Sequence, residues 1–407
     1  MKKIIPAIIF ALTLFISFSC NSRDVLVAPS FTPADKAVAS SSGDFGMNLL
    51  NNINKTEADS NIVISPLSIS TALGMTLNGA NGRTYTQMKN TLQLSGNTQT
   101  AVNQSFLNLN STLNTADPNV CFTTANSIWC RQDLNFNQSF LDVNKKYFSA
   151  RIQNLDFTNP ASVGIINDWV SDNTKGKITK IIDRIPPEMV MYLINAIYFK
   201  ADWTNKFDSM QTTLKDFYLL NGGRVLCSMM YQRNNYDYYK AGNYQAVKIP
   251  YGNGNFNMLI LLPNDSIDVN LVLRNVNESM LAKINSGLTK QDLKLYLPRF
   301  QANYDINLNN PLIELGMPDA FDRSLADLSK ISDKMKLFIS EVIHKTFIKV
   351  GEQGTEAAAV TEVGVGITAV IENSAKVFYV DHPFIFLITE KNSGAILFAG
   401  KIVNPLN

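Results

Sequence analysis

The pattern of apolar and polar positions divides the chain into a leader, a polar stretch and one long patterned body. From about Val38 helical spacing dominates: FGMNLLNNI gathers apolar residues on one face, and SPLSISTALGMTLNGA opens with Ser65–Pro66, an N-cap followed by a first-turn proline. From Val190 the pattern changes to runs rich in β-branched and aromatic residues, among them VMYLINAIYF, YQAVKIPY, NMLILLP, LKLYLPRF, FIKV and PFIFLIT. These predict strands of large sheets. No repeat or low-complexity block interrupts them, so helices first and strands later predict a single α+β domain over residues 38–407.

The amino terminus follows other rules. Lys2 and Lys3 precede an apolar run, Ile4 to Phe18, that ends at Ser19–Cys20, which predicts an export signal over residues 1–19. The run is short for a membrane span, and a cysteine directly after a small residue resembles the cleavage box of bacterial lipoproteins. The mature chain is therefore expected to begin at lipidated Cys20. Residues 20–37 carry Pro29 and Pro33 without periodicity and read as a tether. The expected location is that of an exported outer-membrane lipoprotein, periplasmic or cell-surface, touching the membrane through its lipid alone.

One segment departs from ordinary patterning. Between strand-like runs ending at Val350 and resuming at Val377 lies EQGTEAAAVTEVGVGIT, Glu352 to Thr368. In extended form one face carries Thr355, Ala357, Ala359, Thr361, Val363, Val365 and Ile367; the other carries Glu356, Ala358, Val360, Glu362, Gly364 and Gly366. Alanine and glycine make it a poor strand in isolation, while small side chains would slide between neighbouring strands with little resistance. By itself the pattern fits a flexible surface loop with accidental alternation better.

Composition narrows the chemistry. With Lys2 and Lys3 removed from 36 basic residues, the basic side chains match the 34 acidic ones, so no global field favours nucleic acid. No Lys or Arg occurs between Lys89 and Arg131, which argues against a heparin-type site there. Beyond Cys20 only Cys121, Cys130 and Cys227 remain, an odd set expected to be unpaired thiols. A strand over CFTTANSIWC would hold Cys121 and Cys130 roughly 30 Å apart. His344 and His382 are the only histidines, and neither G-x-S-x-G nor H-E-x-x-H occurs. GVGITA from Gly364 formally fits a dinucleotide fingerprint but lacks the βαβ context. No enzyme, cofactor or metal site is expected.

The string GEQGTEAAAVT resembles the hinge that opens the reactive-site loop of serpins. NIVISPLSISTALGMTLNGA, LINAIYFKADWTNKFD, VKIPYGNGNFNMLILLPN, LKLYLPRF and HPFIFLITEKNSGAILFAGKIVNP are similar to further signatures of that family, covering residues 40–407. The resemblance implies helices packed on three β-sheets, a large central sheet A, and an exposed reactive-site loop at about residues 352–376. It also implies a suicide inhibitor of serine proteases, acting as a monomer. Counted from Gly354, the cleaved bond falls between Thr368 and Ala369, flanked by Val365, Gly366, Ile367 and Val370. Glu352, Gln353, Gly354, Thr355, Glu356, Ala357, Ala358 and Ala359 match the hinge. Ser65, Ser68, Asn195 and His344 match a polar gate behind the central strands, with His344 structural and not catalytic. Arg299 and Trp203 match the top of the sheet, where Arg299 pairs with Glu352. Ile367 and Thr368 suit shallow apolar pockets, so elastase-like and subtilisin-like proteases are the expected targets, with papain-like cysteine proteases as further candidates. A non-inhibitory chaperone or carrier of this family would show proline or bulky charge in the hinge, which is absent here.

Overall fold

The computed structural model describes residues 29–355 and 375–406. The chain runs through α1 (Pro33–Asn54), β1 (Ile62–Ile64), α2 (Pro66–Leu77), α3 (Gly82–Thr91), α4 (Gln99–Leu113), β2 (Val120–Arg131), α5 (Gln138–Phe148), β3 (Arg151–Leu155), α6 (Ala161–Asn173) and β4 (Met191–Asp202). Next come β5 (Thr213–Tyr218), β6 (Arg224–Lys240), β7 (Tyr244–Tyr251), β8 (Phe256–Pro263), α7 (Val269–Arg274), α8 (Glu278–Gly287), β9 (Thr289–Pro298), β10 (Phe300–Asn307) and α9 (Asn309–Glu314). β11 (Ile343–Val350), β12 (Gly354–Thr355), β13 (Lys376–Tyr379), β14 (Phe384–Glu390) and β15 (Ile396–Ile402) complete the order.

Two expectations change. Helices do not simply precede strands, because β1, β2 and β3 lie among the early helices. β2 escapes a period-two reading because it is buried on both faces over Ser127–Cys130, so its apolar residues do not alternate. The tether also ends earlier than residue 37. Thr32 caps α1, its Oγ1 accepting from Asp35 N–H while the Asp35 carboxylate accepts from Thr32 N–H, and Pro33 occupies the first turn. Asp35 is buried and accepts a further bond from Asn108 Nδ2 at 3.2 Å. A proline that suggested a linker is thus a helix start.

A six-stranded sheet runs in the order β10-β11-β12-β4-β2-β3, and a nine-stranded sheet in the order β1-β15-β14-β8-β7-β6-β9-β13 with β5 added on β6. The separate second and third sheets expected from the family form one ladder here because β6, 17 residues long, pairs with β5 at one end and with β7 at the other. The main core joins α1, α2 and both sheets, with Phe199 of β4 packed edge-on against Tyr251 and Phe256. A second apolar cluster, around Trp129, Ile166, Trp169, Tyr192 and Ile194, pins α6 to the six-stranded sheet. Trp129 and Trp169 meet there edge to face at 5.9 Å. Cys121, Cys130 and Cys227 are free thiols, Cys121 exposed and the other two buried. Among the described residues no helix is long and apolar enough to cross a membrane.

The early helix start makes a prediction. A chain beginning at residue 38 loses Thr32 and Asp35 and should melt measurably below one beginning at residue 29, and Thr32→Ala in the longer chain should cost about 1 kcal/mol in urea unfolding. Equal stability of both chains would contradict the capped start of α1.

Candidate functional site: the hinge and the slot beneath it

The site begins where β4 ends. Trp203 N–H donates to Gln353 O at 2.8 Å, Phe207 N–H to Glu352 O at 2.9 Å, and the Trp203 indole N–H to Gly351 O at 2.8 Å. Trp203 stacks on Tyr251 at 4.2 Å and 12°, which fixes the indole in this role. Three consecutive hinge carbonyls are therefore held by the turn after β4. The next two residues, Gly354 and Thr355, form β12, paired antiparallel with β4 (Thr355 opposite Ala201) and with β11 (Thr355 opposite Val350).

Glycine is required at 354. A Cβ there would sit 2.0 Å from Ala201 O and 2.7 Å from Asp202 Cα, and its φ of +152° is one that L side chains rarely adopt. Thr355 follows it into the core, buried, with Oγ1 in a 2.6 Å hydrogen bond to Tyr251 OH. The reactive-site loop was expected to be exposed from about residue 352. Instead its first four residues are gripped, and two are already a strand.

Glu352 is buried and bound from two sides. Arg299 Nε donates to both carboxylate oxygens at 2.7 and 2.8 Å, and Thr212 Oγ1 donates to Oε1 at 2.6 Å. Burial alone would raise the carboxyl pKa, but the bonds from Arg299 and Thr212 outweigh it and hold the group below its ordinary value. The Arg299–Glu352 pair expected at the top of the sheet is present. It is more than a surface pair, since losing Arg299 would strand a buried carboxylate.

Further down the same strands lies the polar gate. Ser65 Oγ accepts from Ser68 N–H at 3.3 Å, capping α2, and His344 Nε2 accepts from Ser65 N–H at 3.1 Å. Ser68 Oγ donates to Asn195 Oδ1, whose own amide reaches Asn126 Oδ1 at 2.7 Å. Asn126 Nδ2 in turn donates to Phe148 O at 2.7 Å. All four expected gate residues therefore join α2 to β4 and β11. Burial pushes the His344 imidazole down to about 3, so the ring is neutral and accepts through Nε2. It cannot act as a general base near neutrality, consistent with a structural role.

Below the hinge the described residues leave two strand edges without a partner. β11 pairs with β10 along one edge and β4 with β2, but below β12 no described strand pairs with the edges that face each other over Met191–Ile197 and Ile343–Lys349. A cavity of about 260 Å³ lies at the level of the gate and beyond it, away from the hinge, lined by Ser68, Met191, Leu193, Asn195, Ile343 and His344 among others. Among the described residues no group of three metal-ligating side chains occurs.

Glu356, Ala357, Ala358, Ala359, Val365, Gly366, Ile367, Thr368, Ala369 and Val370 lie outside the described residues, as does Cys20. The clasp contains three contacts that sequence reasoning missed: Thr212 on Glu352, Tyr251 on Thr355, and the backbone of Phe207 on the hinge. Tyr251 stands in the VKIPYGNGN run already singled out, whereas Thr212 carries no signal at all.

The family model described as Serpin (serine protease inhibitor) matches residues 40–405. An uncharacterized serpin-like protein of Thermococcus kodakarensis is 33% identical over 388 residues, covering 94% of this chain and 88% of its own. The leukocyte elastase inhibitor of Homo sapiens is 33% identical over 380 residues, covering 90% of this chain and 99% of its own. Among solved structures, the thermophilic serpin Tengpin in its native state superposes with a TM-score of 0.82 at 32% identity, over 93% of this chain and 96% of that one. A human thyroxine-binding globulin reaches a TM-score of 0.83 at 29% identity, over 92% of this chain and all of that one. With the hinge clasp and the polar gate in place, the chain belongs to the serpin family.

Proposed function

We propose that this protein is a suicide inhibitor of serine proteases, cleaved near Thr368–Ala369 and trapping the acyl-enzyme by drawing residues 356–368 into the slot between β4 and β11. The observation that carries this reading is β12: a two-residue strand seated between two strands whose remaining edges pair with no described strand.

Continuing the β12 register gives each loop residue a partner on both sides. Ala357 would lie between Phe199 and Ile348, Ala359 between Ile197 and Thr346, and Thr361 between Asn195 and His344. Val363 and Val365 would then face Leu193 and Met191 of the cavity. The small residues fall where α2 and the core stand behind the strands, and Thr361 meets the gate with a hydroxyl able to bond it. Fully burying Val363, Val365 and Ile367 would contribute roughly 1.5–3 kcal/mol each, and each new ladder bond about 0.5–1.5 kcal/mol. Thirteen residues at about 3.3 Å each would displace a bound protease by order 40 Å. Deacylation stalls if that displacement distorts its active site.

Ile367 and Thr368 favour proteases with shallow apolar pockets, elastase-like and subtilisin-like, and a leukocyte elastase inhibitor is among the similar proteins. The lipid on Cys20 would hold the inhibitor at a membrane surface of the exporting cell. The hinge, free of proline, favours this reading over that of a carrier.

Two outcomes test it. Mixed with elastase or subtilisin, the soluble domain should form a complex that survives denaturant and release a fragment of residues 369–407; digestion without a complex from any protease would refute inhibition. Gly354→Val should expel β12 through the clash with Ala201 O, so that most of the inhibitor is released as cleaved substrate instead of complex. An unchanged partition between complex and cleaved product would show that seating of β12 is dispensable.

A further inference from the structure

Large apolar side chains are exposed along one short stretch of chain: Met210 at 75%, Leu214 at 67%, Leu226 at 60%, Tyr218 at 50% and Leu220 at 38%. Four of them belong to the β5–β6 hairpin or its turn, and Met210 immediately precedes it. Register puts them on one face. Leu214 is opposite Ser228, Asp216 opposite Leu226 and Tyr218 opposite Arg224, while the intervening Phe217 and Cys227 turn inward and are fully buried. Leu226 therefore sits diagonally between Leu214 and Tyr218, a pairing distance at which side chains touch. The Arg224–Asp216 ion pair, 2.9 Å, crosses the same face. A contiguous apolar face of this kind on a soluble domain marks an interaction surface.

Its position identifies the occupant. Thr212, next to β5, bonds Glu352 at the amino-terminal root of the reactive-site loop. At the other end of β5, Tyr218 N–H donates to Asp381 O at 2.7 Å, just beyond β13, the first strand after that loop. The hairpin thus spans from one attachment of the bait to the other. Six residues separate Ala369 from Lys376, so an attacked bond stays within about 25 Å of β13. A protease domain with a radius of gyration of about 17 Å attacking that bond would have the hairpin within reach of its body.

We propose that the β5–β6 face is a docking surface for the body of the target protease, used in the encounter before cleavage. The proposal rests on the inhibitor reading above and adds a determinant of target choice outside the bait. Exposed Leu, Met and Tyr beside a single ion pair suit an apolar patch with a polar rim on the partner. The one cation that register places on this face, Arg224, is paired with Asp216, which leaves the face without net positive charge to attract anionic lipid. Adjacent Lys215 and Asp216 on the edge strand also disfavour strand-to-strand pairing with a second copy.

The test uses the soluble domain carrying Leu214→Ser and Leu226→Ser together, with Met210→Ser as a separate variant. With a protease that the parent traps, the double variant should form complex with a second-order rate constant lower by about tenfold or more, while the stoichiometry of inhibition stays at the parental value. Melting temperature serves as the control for folding. Rates within twofold of the parent would overturn the docking surface and leave the inhibitor reading intact. Absence of complex in the parent itself would instead remove the inhibitor reading and this proposal with it. Unchanged rates with lost binding to phosphatidylglycerol–phosphatidylcholine vesicles, or with a lost dimer in sedimentation, would overturn it in favour of a membrane or a second copy.

Discussion

The rest of the structure depends on two strand edges, on β4 and β11, that no described strand pairs below β12. β4 and β11 each carry a ladder on one edge, and among the described residues β12 alone joins their other edges, at the top. Backbone N–H and C=O groups along such edges are satisfied best by another strand, and a segment of small side chains in the same chain is the nearest source. Under the proposed mechanism such a sheet would gain pairing when the loop enters it.

The contacts around these edges divide into those that start insertion and those that restrain it. At the top, three hinge carbonyls, a glycine that alone fits beneath Ala201 O, and the Thr355–Tyr251 bond set the register before any cleavage. At mid-height, Ser65, Ser68, Asn195, Asn126 and His344 tie the two edges to α2, and a neutral imidazole keeps this tie insensitive to pH near neutrality. The opposite face adds a second restraint. Glu362, on the face opposite Thr361 and Val363, would fall opposite Ile194, which belongs to the apolar cluster beneath α6. Insertion that far must displace α6 or its following segment, while Gly364 and Gly366 ask for little room there.

Much of this was legible in the sequence, and the limits were physical. The strands from Val190 onward announce themselves because β-branched and aromatic runs have few alternative uses, and the gate and the Arg299–Glu352 pair followed from a family resemblance residue by residue. β2 was obscured by burial on both faces, and α1 began early because Pro33 is equally at home in a linker and in a first turn. The clasp by Thr212, Phe207 and Tyr251 was invisible because it depends on which turn meets the hinge in space, 140 residues away in the case of Thr212 and Glu352. Nor does a period-two pattern say how much of a segment is already paired.

The most direct measurement is amide hydrogen exchange along the facing edges, on peptides covering residues 191–197 and 343–349, before and after a single cut in the reactive-site loop. The account predicts that these amides exchange readily in the intact protein and become strongly protected once the loop is cut, with protection extending down from Ala201 and Val350 past Asn195 and His344. Exchange that is the same in both forms, or protection confined to the two residues beside β12, would contradict it.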